Sequence, residues 1–182
     1  EEIEGTDFTD ALKALKASDF TSEEPSEKEE ISFTLHYKDD KYPEKEVKEQ
    51  VKELEKHSIA HFYGFQSDPR PFYIEADCVV LPSYHEGMSN VLLEAAATGR
   101  PVITSNIPGC RESVENGKSG LLVEVKNKEM LYDAMKEMLH CSREEREQMG
   151  QAGREKMERE FRKEVVVEKT VQSLREDEKR DF

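Results

Sequence analysis

Short apolar runs alternate with amphipathic segments along most of this chain of 182 residues. Residues 31–37 alternate between apolar and polar side chains, which is the period of a strand with one drier face. Apolar residues recur at helical spacing between residues 44 and 57, which predicts an amphipathic helix. Further strands are predicted at residues 59–63, Cys78–Leu81, residues 101–104 and residues 120–125, with short helices at residues 68–76, 89–97 and 110–115.

This alternation of strands and helices predicts an α/β fold with a Rossmann-like, mainly parallel sheet flanked by helices. The apolar run Cys78–Leu81 is the expected central strand. In such a sheet, ligands bind beyond the carboxyl ends of the strands. The residues that follow each strand are therefore the candidates for a functional site.

The chain after residue 125 is predicted to be helical. A methionine-rich apolar stripe at helical spacing favours helices packed on the outside of the sheet over an adaptable binding surface. The stripe comprises Met130, Leu131, Ala134, Met135, Met138 and Leu139, and it is continued by Met149, Met157, Phe161, Val165, Val171 and Leu174. The expected organisation is an acidic partial helix and linker (residues 1–30), the Rossmann-like domain (31–140), and C-terminal helices that pack on it (141–182).

The charge of the chain limits its partners. With 41 acidic and 27 basic residues the net charge is −14, which argues against nucleic acid, because a phosphate backbone binds to a basic surface. No apolar run approaches the length that spans a membrane, so no transmembrane segment is predicted. Peripheral contact with a membrane is left open.

The three cysteines form no CxxC pair. Cys78 lies in an apolar run and is expected to be a small buried hydrophobic residue. Three cysteines without a CxxC pair argue against a disulfide framework as the basis of the fold, so none is predicted. No His/Cys cluster has the spacing of metal ligands, so no metal site is predicted. This cysteine usage fits a reducing compartment and predicts a cytoplasmic protein.

The segment after Cys78–Leu81 combines three features of a binding site. Gly87 permits a tight turn and the close approach of a ligand to the backbone. A helix starting at Ser89 offers unpaired amides and a positive dipole end, which suit a phosphate. Glu86 and Glu94 bracket this position, and carboxylates accept hydrogen bonds from sugar hydroxyls. Hydroxyl binding beside a phosphate is typical of a nucleotide-sugar site. The alternatives are a generic anion site, or a Glu94 that only stabilises its helix and an exposed loop residue at Glu86.

The same segment carries a family resemblance. Residues 81–95, LPSYHEGMSNVLLEA, resemble the signature of the glycogen-synthase-like retaining glycosyltransferases with the GT-B fold, often called family 4. Further matching segments are residues 62–65, 76–77, 99–103, 108–112 and 120–123. The resemblance implies that this chain is the C-terminal, donor-binding half of such a fold, in an enzyme of polysaccharide or glycoconjugate synthesis.

The resemblance also implies a role for each matching residue. Glu86 is the implied catalytic residue, which stabilises charge at the anomeric carbon of the donor sugar. The implied donor-binding residues are Gly87, Met88, Ser89 and Asn90 through their amides, Val91 by packing, Glu94 on the ribose, and Gly64, Phe65 and Gln66 along the base. Asp77 and Arg100 are expected to be structural. No metal cofactor is expected, because the family holds the diphosphate of its nucleotide-sugar donor with side chains and amides.

One part of the family pattern is missing. The family places a basic pair after the first strand of this domain, where it neutralises the leaving diphosphate. The corresponding residues 1–8 contain no basic residue, and neither the first strand nor the acceptor-binding domain is recognised. We therefore expect the isolated chain to be inactive without an N-terminal acceptor domain or a partner chain that supplies it. The alternative is a non-catalytic nucleotide-sugar-binding or interaction module, and a nucleotide-sugar epimerase fits the glutamate pair less well.

Overall fold

The computed structural model describes residues 33–35, 52, 55–56, 61, 63–64 and 66–177. Residues 52, 55 and 56 are helical, within the helix predicted for residues 44–57. The predicted N-terminal partial helix and linker, and Phe65 of the predicted site, lie outside the described residues.

Four strands of the described chain form one sheet. They are β1 (Phe33–Leu35), β2 (Cys78–Leu81), β3 (Val102–Ser105) and β4 (Gly120–Val123). The order is β1-β2-β3-β4, and every neighbouring pair is parallel. This confirms the parallel sheet and the interior position of Cys78–Leu81.

One predicted strand is absent at its described positions, because His61 and Tyr63 lie outside any strand. The Tyr63 ring instead packs on Phe72, with the ring centroids 4.7 Å apart. The chain then turns at Gly64, whose φ of +64° is a conformation that glycine adopts without strain. His61 and Tyr63 are therefore not paired with a neighbouring strand.

Helices follow the strands in the described part of the chain. They are α1 (Arg70–Glu75), α2 (Asn90–Ala97), α3 (Lys128–His140), α4 (Arg143–Glu160) and α5 (Lys163–Asp177), with a short 3₁₀ turn at Arg111–Ser113. Their order along the chain agrees with the predicted alternation, and their bounds differ from the predicted ones by a few residues.

The sheet is covered on both faces, and β2 shows how. Cys78 and Val80 pack with α3 on one face, whereas Val79 and Leu81 pack with α1 and α2 on the other. All four side chains are buried, which explains why β2 is continuously apolar rather than alternating. The predicted stripe of α3 is buried at Leu131, Ala134, Met135 and Met138.

Helix α4 is fixed at its start and along its length. Ser142 and Glu145 form a reciprocal capping box, which satisfies amides that the helix leaves open. The guanidinium of Arg146 is buried, donates to the Cys141 carbonyl, and lies 3.7 Å from the Asp77 carboxylate. Asp77 is therefore structural, as predicted. So is Arg100, which donates to the Ile74 carbonyl on α1.

The last helix buries less of its apolar face than α4 does. Met157 of α4 is 6% exposed, but Val171 and Leu174 of α5 are 40% and 62% exposed. The apolar face of α5 therefore lies outside the core that the described residues form. No helix within the described part of the chain combines the length and apolar character needed to cross a membrane.

Candidate functional site

The loop that follows β2 places Glu86 at the carboxyl edge of the sheet. The amide of Ser83 donates to the Leu81 carbonyl over 3.0 Å, which turns the chain directly after the strand. The Ser83 hydroxyl then donates to Oε1 of Glu86, also over 3.0 Å. Glu86 is half-buried. Its carboxylate therefore has a defined orientation at the edge where α/β sheets bind ligands.

The turn after β3 supports this loop through backbone contacts. Gly109 has φ +88°, and a Cβ at this position would lie 1.6 Å from the Gly87 carbonyl oxygen. The Ser89 amide donates to the Gly109 carbonyl over 3.0 Å, and the Gly109 amide donates to Oε2 of Glu112 over 2.7 Å. Sequence reasoning did not assign Gly109 to the site. The available signal was its Pro-Gly turn, which comes a few residues after a strand.

The floor beneath the loop is buried and neutral. The Thr104 hydroxyl donates to the Leu81 carbonyl over 2.8 Å and so ties the end of β3 to the end of β2. Burial raises the pKa of the Cys110 thiol, and the negative charges of Glu86 and Glu112 raise this pKa further, while a hydrogen bond with Thr104 opposes them. Cys110 is therefore a protonated thiol under the site rather than a nucleophile.

The start of α2 opens at the same edge. The Leu93 amide donates to the Ser89 carbonyl over 3.1 Å, which is the first hydrogen bond of the helix. The amides of Asn90, Val91 and Leu92 precede it and therefore lie at the open end of the helix. Ser89 is the N-cap residue, as predicted, but its side chain makes no capping hydrogen bond. These open amides and the helix dipole suit an anion.

The predicted donor-binding residues differ in accessibility. Gly87, Met88, Asn90 and Glu94 are exposed, and Val91 is half-buried. Ser89 is buried and its amide is already bonded to Gly109, which corrects the expectation that this amide is presented to a ligand. The backbone amides of Gly87, Met88 and Asn90 are still candidates to donate to a ligand.

Glu94 lies on α2 beside two residues of α1. The hydrogen bond and the charge of Asp68 raise the pKa of Arg70, and the negative charge of Glu94 adds a smaller effect in the same direction. That bond is two-pronged: Arg70 Nε and Nη2 each lie 2.7 Å from a carboxylate oxygen of Asp68. Burial raises the pKa of Tyr73 to about 12, and the charge of Glu94 adds to this effect.

Gly64 and Gln66 approach the site by way of α1. The side-chain amide of Gln66 donates to the Tyr63 carbonyl over 2.6 Å, and the Tyr63 ring packs on Phe72 of α1. Helix α1 in turn packs beside α2 in one apolar cluster. The structure thus connects Gly64 and Gln66 to α2 through α1, without a described contact to the Glu86 loop.

A cation lies beside the loop that follows β2. Lys126 follows β4 with φ +59°, a left-handed conformation that non-glycine residues seldom adopt. Its ammonium group lies 5.7 Å from the centre of the Tyr84 ring, in the range of a cation–π contact. Sequence reasoning missed this contact, because it joins loops more than forty residues apart.

Comparison with known proteins gives a consistent result. The family described as glycosyl transferases group 1 matches residues 10–156. The capsular polysaccharide biosynthesis glycosyltransferase CapM of Staphylococcus aureus is 33% identical over 102 residues, which are 56% of this chain and 27% of that protein. The lipopolysaccharide core biosynthesis glycosyltransferase LpsE of Rhizobium meliloti is 30% identical over 113 residues, which are 62% of this chain and 33% of that protein.

A solved structure supports the fold. The structure of Anabaena Alr3699/HepE in complex with UDP aligns with a TM-score of 0.72 and 18% identity, over 95% of this chain and 45% of that chain. At this identity the likeness concerns the fold alone. The chain spans only 27% and 33% of the two curated relatives, so it corresponds to one part of proteins of that kind.

Proposed function

The chain belongs to the glycosyl transferases group 1 family, and on that premise we propose that it is the donor-binding domain of a retaining glycosyltransferase. The observation that carries the proposal is the arrangement at the carboxyl edge of β2. An oriented Glu86, a loop held against Gly109 and the open amides of α2 occupy consecutive positions there. These groups match the parts of a nucleotide sugar, namely sugar hydroxyls, a diphosphate and a ribose.

In this proposal each group acts on one part of the donor. The amides of Gly87, Met88 and Asn90 bind the sugar and the diphosphate, on which negative charge builds as the glycosidic bond breaks. Glu86, held by Ser83, stabilises the positive charge at the anomeric carbon. Glu94 accepts hydrogen bonds from the ribose, with Val91 packed beside it. Gly64 and Gln66 line the base.

The acceptor side of the reaction lies beyond this domain in the proposal. CapM and LpsE carry names from capsular polysaccharide and lipopolysaccharide core biosynthesis, which supports polysaccharide or glycoconjugate synthesis as the setting. Transfer requires the acceptor to be held against the donor, a contribution of roughly 7–11 kcal/mol in favourable cases. We therefore expect an acceptor-binding domain, in the same protein or in a partner, to complete the cleft.

Nucleotide binding tests the donor site. We expect the chain to bind UDP or GDP and the amide resonances of Gly87, Met88 and Asn90 to shift on titration. The isosteric change Glu94→Gln should weaken binding by roughly 10- to 100-fold, because a charged acceptor loses its ribose bonds. The change Glu168→Gln, on an exposed position of α5, is the matched control and should leave affinity unchanged. Full affinity in Glu94→Gln would reject the assigned role.

Two further measurements define the activity. Binding should persist in EDTA, since no metal is proposed to hold the diphosphate. Radiolabelled UDP- and GDP-sugars should give no transfer to saccharide or lipid acceptors with the chain alone, and should give transfer when a separately expressed acceptor domain is added. Turnover by the chain alone would contradict the need for a second domain. Nucleotide binding without transfer in either case would favour a non-catalytic binding module.

A further inference from the structure

The hydroxyl of Tyr73 is buried without a hydrogen-bond partner among the described residues, which is rare in folded proteins. Tyr73 is 0% exposed, and its hydroxyl oxygen is one of two buried side-chain polar atoms without a hydrogen-bond partner among the described residues. The other is Nε of Arg100, whose guanidinium still donates through Nη2. Buried polar groups are almost always bonded, because a buried group without a partner loses its hydration and gains nothing in exchange.

The position of Tyr73 indicates what its partner is. Tyr73 lies in one buried cluster with Leu92 and Ala95 of α2, and Val91 packs against the same cluster. These three residues surround Glu94 in the sequence of α2. Arg70 lies three residues before Tyr73, so both project from one side of α1. Asp68 and then the charge of Glu94 raise the pKa of Arg70, and burial and then the charge of Glu94 raise the pKa of Tyr73.

The chemistry of the two groups is complementary. The Tyr73 hydroxyl is protonated at neutral pH, as tyrosines are, and burial and then the charge of Glu94 raise its pKa further, to about 12. It is therefore a donor, whereas a carboxylate offers only acceptors. Glu94 is exposed and has three rotatable side-chain bonds, so holding it in one rotamer costs conformational entropy. A bond from a buried tyrosine lowers that cost, since the tyrosine ring is already fixed by packing.

We propose that Tyr73 is a positioning residue for Glu94: its buried hydroxyl donates a hydrogen bond to the Glu94 carboxylate and holds it in the rotamer that accepts from the ribose hydroxyls. The proposal rests on the donor-binding function proposed above. One oxygen of Glu94 receives the tyrosine hydroxyl, and the remaining acceptor positions face the nucleotide. Tyr73 itself touches no ligand.

The test combines Tyr73→Phe with a change in the ligand. Affinities of the full chain for UDP or GDP, whichever it binds, are compared with those for the 2′,3′-dideoxy analogue of the same nucleotide. Tyr73→Phe should weaken binding of the ribonucleotide about 5- to 10-fold and leave the dideoxy analogue unaffected. In a Glu94→Gln background the same change should have no further effect on the ribonucleotide. Tyr132→Phe, on α3 across the sheet, is the matched control and should change neither affinity.

The outcomes separate this proposal from the function beneath it. No binding of either nucleotide by the parent chain rejects the donor-binding function, and the positioning role falls with it. Binding that depends on Glu94 but not on Tyr73 rejects the positioning role alone. Equal weakening of both nucleotides by Tyr73→Phe would show a merely structural role. In the Glu94→Gln background, urea unfolding should show no further loss of stability when Tyr73→Phe is added. A marked loss there would reveal a partner for the hydroxyl other than Glu94 and overturn the proposal.

Discussion

The turn at Gly109 and the exposed face of α2 shape the same site by opposite means. Gly109 fixes the Glu86 loop through its backbone, at a distance that leaves no room for a Cβ. Glu94 projects from α2 into solvent, and its charge raises the pKa of Tyr73 on the neighbouring helix, after the larger effect of burial. Changes at the turn should therefore alter the fold of the site, whereas changes on the exposed face should alter affinity in a protein that stays folded.

The largest effect is expected from Gly109→Ala. The new methyl group would meet the Gly87 carbonyl oxygen at 1.6 Å, and φ +88° is strained for alanine as well. Overpacking and the left-handed conformation together predict a loss of roughly 2–5 kcal/mol in the free energy of unfolding. Urea denaturation of the parent and the variant measures this loss.

Gly117→Ala is the control for this change. Gly117 has a similar φ of +75°, but a Cβ there meets nothing within 4 Å. It should therefore show only the conformational cost, about 1–2 kcal/mol. If the two variants lose the same stability, then close approach at Gly109 is not what holds the Glu86 loop.

Two glycines of α4 allow a test of how α4 packs against the C-terminal end of α2. A Cβ at Gly150 would lie 1.9 Å from the Gly99 carbonyl oxygen, just beyond the end of α2, whereas a Cβ at Gly153 would lie in ordinary contact, 3.6 Å from Ala96. Gly150→Ala should cost about 1–3 kcal/mol of stability. Gly153→Ala should gain up to about 1 kcal/mol, because alanine is the better helix former.

The opposite signs make this pair informative. Both changes add one methyl group to the same helix, so helix propensity alone predicts a gain at both positions. Thermal unfolding of the two variants decides the matter. A gain in Gly150→Ala would mean that α4 can move away from Gly99 without cost.

The fold was predictable where the apolar pattern within a single strand or helix is enough to identify it. The apolar run Cys78–Leu81 is the strand β2 with the predicted bounds, because burial on both faces imposes a continuous apolar sequence. Val171 and Leu174 belong to an apolar stripe at helical spacing, but both are exposed. Periodicity shows which side of a helix is apolar, and what covers that side depends on the three-dimensional arrangement.

The site was predictable at the residues of one contiguous motif, from Glu86 to Glu94. The contacts made by Gly109 and Tyr73 were not, because each joins segments that are distant in sequence. Gly109 approaches Gly87 from the turn after β3, and Tyr73 reaches α2 from the helix before β2. Even within the motif, the amide of Ser89 binds inward to Gly109, a contact that depends on the turn after β3.

The smallest effect concerns the acid sensitivity of the Gly109 turn, which Glu112 anchors. Hydrogen bonds lower the pKa of Glu112, first from its own amide and, after an opposing effect of burial, from the Gly109 amide. A carboxylate with a lowered pKa in the folded state binds its proton more readily when unfolded. Its stabilisation is therefore complete above the unfolded pKa, near 4.3, and is lost as the pH falls through the lower folded value.

The variant Glu112→Gln isolates this contribution from those of other carboxylates. At neutral pH it should be less stable than the parent by less than about 1 kcal/mol, because the partly exposed carboxylate is screened by solvent. The difference should disappear as the pH falls through the window below about pH 4.3, where the parent carboxylate also becomes neutral. Urea midpoints across this range, with Glu168→Gln as the charge-matched control, measure it. A difference that persists unchanged in acid would mean that Glu112 supports the turn by its shape and not by its charge, and the backbone of Gly109 would then account for the whole support of the Glu86 loop.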